Sequence, residues 1–483
     1  MSTTQAMTKE VLPMEADTAL DTGGLWGHPR GLTTLFFTEM WERFSFYGMR
    51  AILVLYMVSA PAEGGLGFSI KYAATIYGIY QMMCYLPSAL GGYIADRYIG
   101  ARKAVLIGGL IIALGNFALI ASGLTFFYLG LVLIVTGTML LKPNISTMLG
   151  SLYGQNDNRR DGGFSIFYMG INIGAAMSPL VIGYCAQGPS FKHWLSSVGI
   201  SPNSCWHWGF AVAALGMMCG LAQYLAHRER LKTVGNPPAI TSAPADATLA
   251  EQQLLDVKHD KATSVKGPLT KEEWSRIGAL AVLFVFTILF WAIYEQAGSS
   301  LTLFADKLSR HEIFGMEFPS SWFQSLNPIF VMLLAPVFSW LWIRLGKREP
   351  SSPAKFAWGI AILALGIGIM VPAAMLTTKG LVSPLWLVAV YFVECVGELC
   401  LSPVGLSTVT KLAPARMLGL FMGLWFFATA LGDMSAGIIA SFFDTNSSHM
   451  VFLYGTMAVA ALAAAGILAL LTPAVRKLMA GVH

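Results

Sequence analysis

Apolar residues run along this chain in blocks separated by short polar breaks. The blocks are roughly 20 to 30 residues long, enough to cross a hydrocarbon core of roughly 30 Å at about 1.5 Å per residue. The shorter segments of alternating hydrophobicity that build a membrane β-barrel are absent. The pattern predicts twelve spans, over residues 31–60, 70–96, 103–123, 126–151, 163–186, 208–227, 275–304, 321–345, 355–376, 384–409, 417–443 and 450–473. Residues 228–274 hold no span and are rich in Ala, Pro, Thr, Asp and Lys, with one stretch, Thr248 to Val257, that could form a short surface helix. The expected organisation is a polar tail (1–30), a six-helix bundle (31–227), a linker (228–274), a second six-helix bundle (275–473) and a short tail (474–483).

Composition agrees with a chain solvated by lipid. Only 12% of residues are charged, against about 25% in soluble globular chains. Mean hydropathy is +0.62. The net charge of +5 is no nucleic-acid signal, because it follows from where the cations sit. Arg97, Arg102, Lys103, Arg159, Arg160, Arg228, Arg230, Lys232, Lys347, Arg348, Lys411, Arg416, Arg476 and Lys477 all fall on one side of the predicted spans. The other side has Lys192, Lys307, Arg310 and Lys379. The crowded side is expected to be cytoplasmic. That places both termini in the cytoplasm and the protein in the inner membrane. No basic segment followed by a short apolar run and a small-residue cleavage site opens the chain, so a cleaved signal peptide is not expected. The six cysteines show no metal-type spacing. Cys185 and Cys205 flank one predicted external loop, where a disulfide could form.

Charges inside the spans change the picture. An ionisable side chain at mid-membrane costs about 2.5–3.5 kcal/mol on insertion scales, and such residues face a bundle interior or a water-filled cavity. This chain has Glu39, Glu42, Arg43, Arg50, Lys142, Glu295, Glu394, Glu398 and Asp433. Glu39, Glu42 and Arg43 stand at i, i+3 and i+4, one face of a helix. Arg50 follows Glu39 by close to three turns and shares that face. An internal salt bridge would need fewer charges than this. Lys142 interrupts the fourth span just before Pro143 and calls for a carboxylate partner. Glu295 and Glu398 are each a lone acid in an apolar stretch, whereas the depth of Glu394 and Asp433 is less determined by the pattern. Six interior acids against three bases leave up to three acids without a basic partner. In a low-dielectric cavity such acids can hold protons near neutral pH. Aromatic residues (Phe46, Tyr47, Tyr77, Tyr80, Tyr168, Trp291, Tyr294, Trp425, Phe426) and the amides Asn172 and Asn327 lie near these charges. Cations at one place, carboxylates at another and amides between them suit a zwitterion with peptide bonds.

Six spans, a central linker and six more spans form the pattern of the major facilitator superfamily, whose halves are internal repeats. The basic, glycine-containing loops Asp96 to Lys103 and Ile343 to Arg348 occupy corresponding places. Within that superfamily the chain resembles the proton-coupled oligopeptide transporters, over nearly all of residues 28–473. The resemblance is carried by Glu39-Met40-Trp41-Glu42-Arg43-Phe44-Ser45, an ExxER motif, and by Gly91 to Arg97. It is carried further by Phe164 to Ala175, Phe290 to Gln296 (FWxxxEQ), Ser325 to Pro328 and Gly397 to Gly405. It implies an all-α fold of twelve transmembrane helices and import of di- and tripeptides driven by a proton gradient, with no other cofactor. It implies small peptides, protons and the lipid bilayer as partners, no nucleic acid, and a monomer. Carried onto this chain, Glu39, Glu42, Arg43 and Glu295 would couple protons to binding. Arg50 would engage the peptide carboxylate, with Glu295 near the external gate. Lys142 would sit opposite Glu398, and Glu398 would receive the peptide amino group. Asn172 and Asn327 would hold the backbone, and Tyr47, Tyr80, Trp291, Ser402 and Trp425 would line side-chain pockets. Arg50, Lys142, Glu295 and Glu398 would serve as gates.

The chain departs from the family at several points. The linker is too short and polar for the extra helix pair of many bacterial members. Gln81 stands where animal members carry a histidine, which puts the proton burden on carboxylates. Phe46 stands where some members have a tyrosine, and Asp433 where an amide is common. Carriage of another small anion or an amino-acid-like substrate is the alternative function; the retained acids of the first span argue against the anion. A membrane-embedded enzyme would need a nucleophile–base pair or a metal-ligand cluster within the spans. All eight histidines lie outside the predicted spans or at their edges, and neither GxSxG nor HExxH occurs.

Overall fold

A computed structural model describes residues 21–154, 157–236, 269–313 and 315–479. The stretch Thr248 to Val257 and most of the linker lie outside the described residues. Helices account for nearly all the rest. In chain order they are α1 (Arg30–Val58), α2 (Ile70–Tyr85), α3 (Ser88–Ile94), α4 (Ala101–Ile120), α5 (Leu124–Ser151), α6 (Arg160–Gln187), α7 (Pro189–Ser197) and α8 (Cys205–Ala226) in the first half. The second half holds α9 (Lys271–Tyr294), α10 (Ser300–Leu308), α11 (Leu326–Leu345), α12 (Ser352–Gly368), α13 (Met370–Leu376), α14 (Leu385–Leu412), α15 (Leu418–Ala440) and α16 (Ser447–Leu478). A two-stranded ribbon, β1 (Glu312–Ile313) antiparallel to β2 (Met316–Glu317), closes one loop.

Ten stretches among the described residues are long and apolar enough to cross a membrane. The two predicted spans missing from that set have physical reasons. The first, α1, carries Arg30, Glu39, Glu42, Arg43 and Arg50 and is too charged. The second is broken, because α2 stops at Tyr85 and α3 begins at Ser88. Pro87 between them has no N–H to continue the ladder. Spans seven and nine are interrupted as well. In the seventh, Glu295–Gly298 forms a 3-10 turn between α9 and α10. In the ninth, α12 passes into α13 at Ile369. The loop after α6 contains α7, which the span pattern does not predict. Its Leu195 is fully buried, while Phe191 stacks on Trp194 with ring centroids 5.4 Å apart. Cys185 and Cys205, at the two ends of this loop region, where the sequence leaves a disulfide open, are free thiols.

Within the first half α4 packs on α5, and α1 lies between α6 and α8. Within the second, α12 is held between α14 and α16. Between the halves, substantial packing among the described residues is confined to α2 on α15, α6 on Ser320–Ser325 and α11, and α1 on α10 and its neighbouring turns. All of it lies at the end remote from the basic loops. Gly78 of α2 and Gly437 of α15 bring their backbones together there: a Cβ on Gly78 would stand 2.8 Å from the Gly437 Cα. Small residues permit such backbone contact between membrane helices. A polar clasp lies beside it. Gln187 donates to Asp306 Oδ1 (3.2 Å) and Ser320 Oγ (3.0 Å) and accepts from the Ser321 N–H (3.2 Å). Toward the basic end the halves diverge. There Phe164, Tyr168, Leu406 and Leu424 are exposed.

Candidate functional site

The interior charges of α1 form two separate groups. Glu39, Glu42 and Arg43 make a triad inside the first half. The Arg43 Nε lies 3.0 Å from Glu39 Oε1 and also pairs closely with Glu42. All three are at most 3% exposed. Charge holds this triad more than hydrogen bonding does, since Glu39 Oε2 and both Glu42 oxygens lack a partner in hydrogen-bond geometry. The Arg43 guanidinium also stands over the Phe46 ring, 5.2 Å from its centroid. The triad exists because i, i+3 and i+4 positions meet on one helix face. Arg50, two turns further on, belongs to the second group. It forms a buried ion pair with Glu295 of the second half, and its Nε donates to the Tyr77 hydroxyl at 2.7 Å.

Glu295 reaches this position because α9 ends just before it. Gln296 stitches the break. Its amide donates to the carbonyls of Ala292 (3.0 Å) and Ala436 (3.1 Å) and accepts from the Ser300 hydroxyl (2.6 Å). The turn packs directly on the first half: a Cβ on Gly298 would lie 3.0 Å from Arg50 Nη2.

Below this pair lies a cavity of ≈ 160 Å³ between the halves. Arg50 and Tyr47 line it from α1, Asn172 and Tyr168 from α6, and Trp291 and Tyr294 from α9. Asn327 of α11, Glu394 and Glu398 of α14 and Asp433 of α15 complete its polar wall. Small-molecule pockets are usually about 300–1,000 Å³. This one is smaller because its polar groups bond to one another across it. Glu398 accepts from the Tyr294 hydroxyl and from Asn327 Nδ2 (3.3 Å), and Asn327 also reaches the Tyr294 hydroxyl. Asn172 turns its amide back to the Tyr168 carbonyl at 2.9 Å. A ligand with an ammonium and a carboxylate would replace these internal bonds with its own.

Several expected site residues lie elsewhere. Lys142 does not face Glu398. Its ammonium sits over the Tyr85 ring, 3.6 Å from the centroid, and its nearest charges are Arg43, Glu42 and Glu39. Lys142 belongs to the first half and Glu398 to the second, and the halves diverge toward the basic end, so Glu398 takes Tyr294 and Asn327 instead. Trp425 is core, 5% exposed and packed against Phe284 and Phe356. Tyr80 is buried against Phe46 in the first half, outside the lining of this cavity. Ser402, one turn past Glu398, is half-buried and also outside the cavity lining.

Other residues gain a place. Tyr85, Gln324, Tyr391 and Thr429 line the cavity, and nothing in their local sequence distinguishes them. Glu394 and Asp433, whose depth the sequence leaves open, are 1% and 3% exposed. One oxygen of each lacks a protein partner. With Glu398 they are three acids without a basic partner in an ion pair, the number the charge count allows.

Comparison with known proteins fits this arrangement. A model of the POT family matches residues 102–251 and 250–456. The transporter YclF of Bacillus subtilis, itself uncharacterised, is 42% identical over 492 residues, covering 95% of this chain and 96% of that protein. The peptide transporter YePEPT of Yersinia enterocolitica is 37% identical over 504 residues, covering 94% and 96%. Among solved structures, a mutant of the peptide transporter POT in complex with alafosfalin superposes with a TM-score of 0.83 at 39% identity, covering 96% of this chain and 98% of that one. With its helices in two bundles around a charged cavity, and relatives spanning nearly its whole length, this chain is a multi-pass membrane transporter and belongs to the POT family.

Proposed function

We propose that the protein is a symporter that imports di- and tripeptides together with protons by alternating access. The observation that carries this reading is the cavity between the halves, with Arg50 on one wall and Glu398 on another. A short peptide presents a carboxylate and an ammonium that match them. Relatives along nearly the full length are named as peptide transporters or di-/tripeptide transporters.

Arg50 binds the peptide carboxylate once Glu295 releases it, and protonation of Glu295 is the event that releases it. Glu398, freed from Tyr294 and Asn327, takes the ammonium. Asn172 and Asn327 hold the peptide bond, while Tyr47 and Trp291 face the side chains. The Glu39–Glu42–Arg43 triad holds a proton within the first half and passes its charge state to Lys142. The two halves rock about the site. The basic end is cytoplasmic by the distribution of Lys and Arg, so both termini lie inside, the membrane is the inner membrane, and the cleft faces inward. The working unit is a monomer, and the proton gradient alone supplies the work.

Radiolabelled dialanine uptake into proteoliposomes tests this. Saturable uptake that accelerates with an inward proton gradient is expected, with counterflow in its absence. Conductance without counterflow would indicate a channel, and dialanine-insensitive transport of a small anion would overturn the peptide assignment.

A further inference from the structure

Peptide binding through Arg50 and Glu398, with Glu295 as the gate, leaves one buried acid of the seam unused. We propose that Asp433 carries a proton of its own with each peptide, binding it while the outer end is open and holding it as the halves close over the site. The proposal rests on the symport reading above.

Position is the first argument. Asp433 lies on α15 one turn before Gly437, whose backbone meets Gly78 of α2. Its carboxyl is therefore in the seam between the halves, 3% exposed, with Oδ2 lacking any protein partner. The seam is dry only while α2 lies on α15. When they part, water reaches this carboxyl from outside. Glu394 is buried too, but on α14, which packs within the second half. Its burial does not follow the seam.

Charge is the second argument. The titratable groups of the first half whose charge is felt at Asp433 include Arg50 of α1 and Tyr77, Cys84 and Tyr85 of α2. Glu295 faces it from the turn after α9, and Lys142 is the remaining cation within range. Arg50 is already engaged by Glu295, and Lys142 rests on the Tyr85 ring. Among the described residues lining the cavity, four carboxyls (Glu295, Glu394, Glu398, Asp433) share one cation, Arg50. An ionised Asp433 in the closed seam would be a buried charge without a cation of its own, which is strongly unfavourable. Neutral Asp433 removes that cost, so closing the outer end requires the proton. Asp433 also lines the cavity between the halves. Its proton leaves into the water of that cavity once the inner end opens, on the side where the peptide leaves.

The test is the proton-to-peptide ratio, read in proteoliposomes as the membrane potential at which net labelled dialanine flux vanishes. Asp433→Asn and Asp433→Ser are each expected to move one proton fewer per peptide than the wild type, and Asp433→Glu to keep the wild-type ratio. The serine variant gives the same reading if the asparagine variant inserts poorly. An unchanged ratio in either neutral variant overturns the role of Asp433 and leaves peptide symport standing. A wild type that moves no dialanine overturns both.

Discussion

At the residue scale, the Arg50–Glu295 pair makes the firmest prediction. It is buried, it crosses from one half to the other, and it sits where the halves touch. Glu295→Gln leaves the Arg50 charge buried without its partner. Breaking such a pair costs about 3–5 kcal/mol. The closed outer end should therefore be disfavoured by well over tenfold, since about 1.4 kcal/mol is a factor of ten. Gradient-driven dialanine uptake should fall by at least about tenfold, while exchange down a peptide gradient persists. Gradient-driven uptake at the wild-type rate would remove Glu295 from the coupling scheme. A second residue tests a correction. Trp425 fills the second-half core beside Phe284 and Phe356 rather than the cavity. Trp425→Ala should lower stability by about 3–5 kcal/mol, seen as a fall in melting temperature in detergent. The apparent KM of the surviving protein for dialanine should stay near the wild-type value. A large rise in KM with an unchanged melting temperature would return Trp425 to the binding site. The acids and cations were visible in the sequence because lipid makes each of them costly. Their partners were not, because the partner of a charge depends on which helix faces it. Lys142 illustrates this: the sequence demands a partner for it but cannot choose between Glu398 and the aromatic face of Tyr85.

At the scale of elements, the apolar blocks gave the number and order of the spans, and proline explains the break in the second. The break in the seventh is less legible. Glu295–Gly298 has no proline; what stabilises the turn is the Gln296 side chain reaching Ala436 on another helix. Tertiary bonds of that kind leave no local pattern. The crossing of α2 and α15 was equally hidden, since Gly78 and Gly437 are ordinary glycines in their own spans. Together they allow the outer end to close without intervening side chains. Gly78→Val places branched carbon where the Gly437 backbone now lies 2.8 Å from the Cβ position. Overpacking of this kind costs roughly 1–3 kcal/mol and falls only on the closed state. Uptake should drop, and a cysteine introduced at Ser321 in this background should react faster with a membrane-impermeant maleimide than in the parent. Equal labelling rates would mean that the contact does not control closure.

At the scale of the molecule, the substantial packing between the halves among the described residues is at the end remote from the basic loops, so one rigid-body motion suffices to open that end and close the other. The sequence predicts two bundles but not the state in which they rest, because the same residues must serve both. The clasp of Gln187, Asp306, Ser320 and Ser321 marks where motion must occur. Gly183 stands beside it, its Cβ position 3.1 Å from the Ser321 Cβ. Disulfides need a Cβ–Cβ separation of about 3.5–4.5 Å, so a few tenths of an ångström of relaxation allows a bridge between cysteines at these two places. The native cysteines that flank the loop after α6, Cys185 and Cys205, are free and provide the background to be measured in the parent protein. In the double variant Gly183→Cys/Ser321→Cys, oxidation should join the two halves at the outer end. Both net uptake and counterflow of dialanine should then stop, because exchange also requires the site to face outward. Reduction should restore both, which separates a reversible lock from simple misfolding. Transport that continues after complete cross-linking would show that the outer end need not open at this seam, and the rocking of two rigid halves would have to give way to movement of helices within one half.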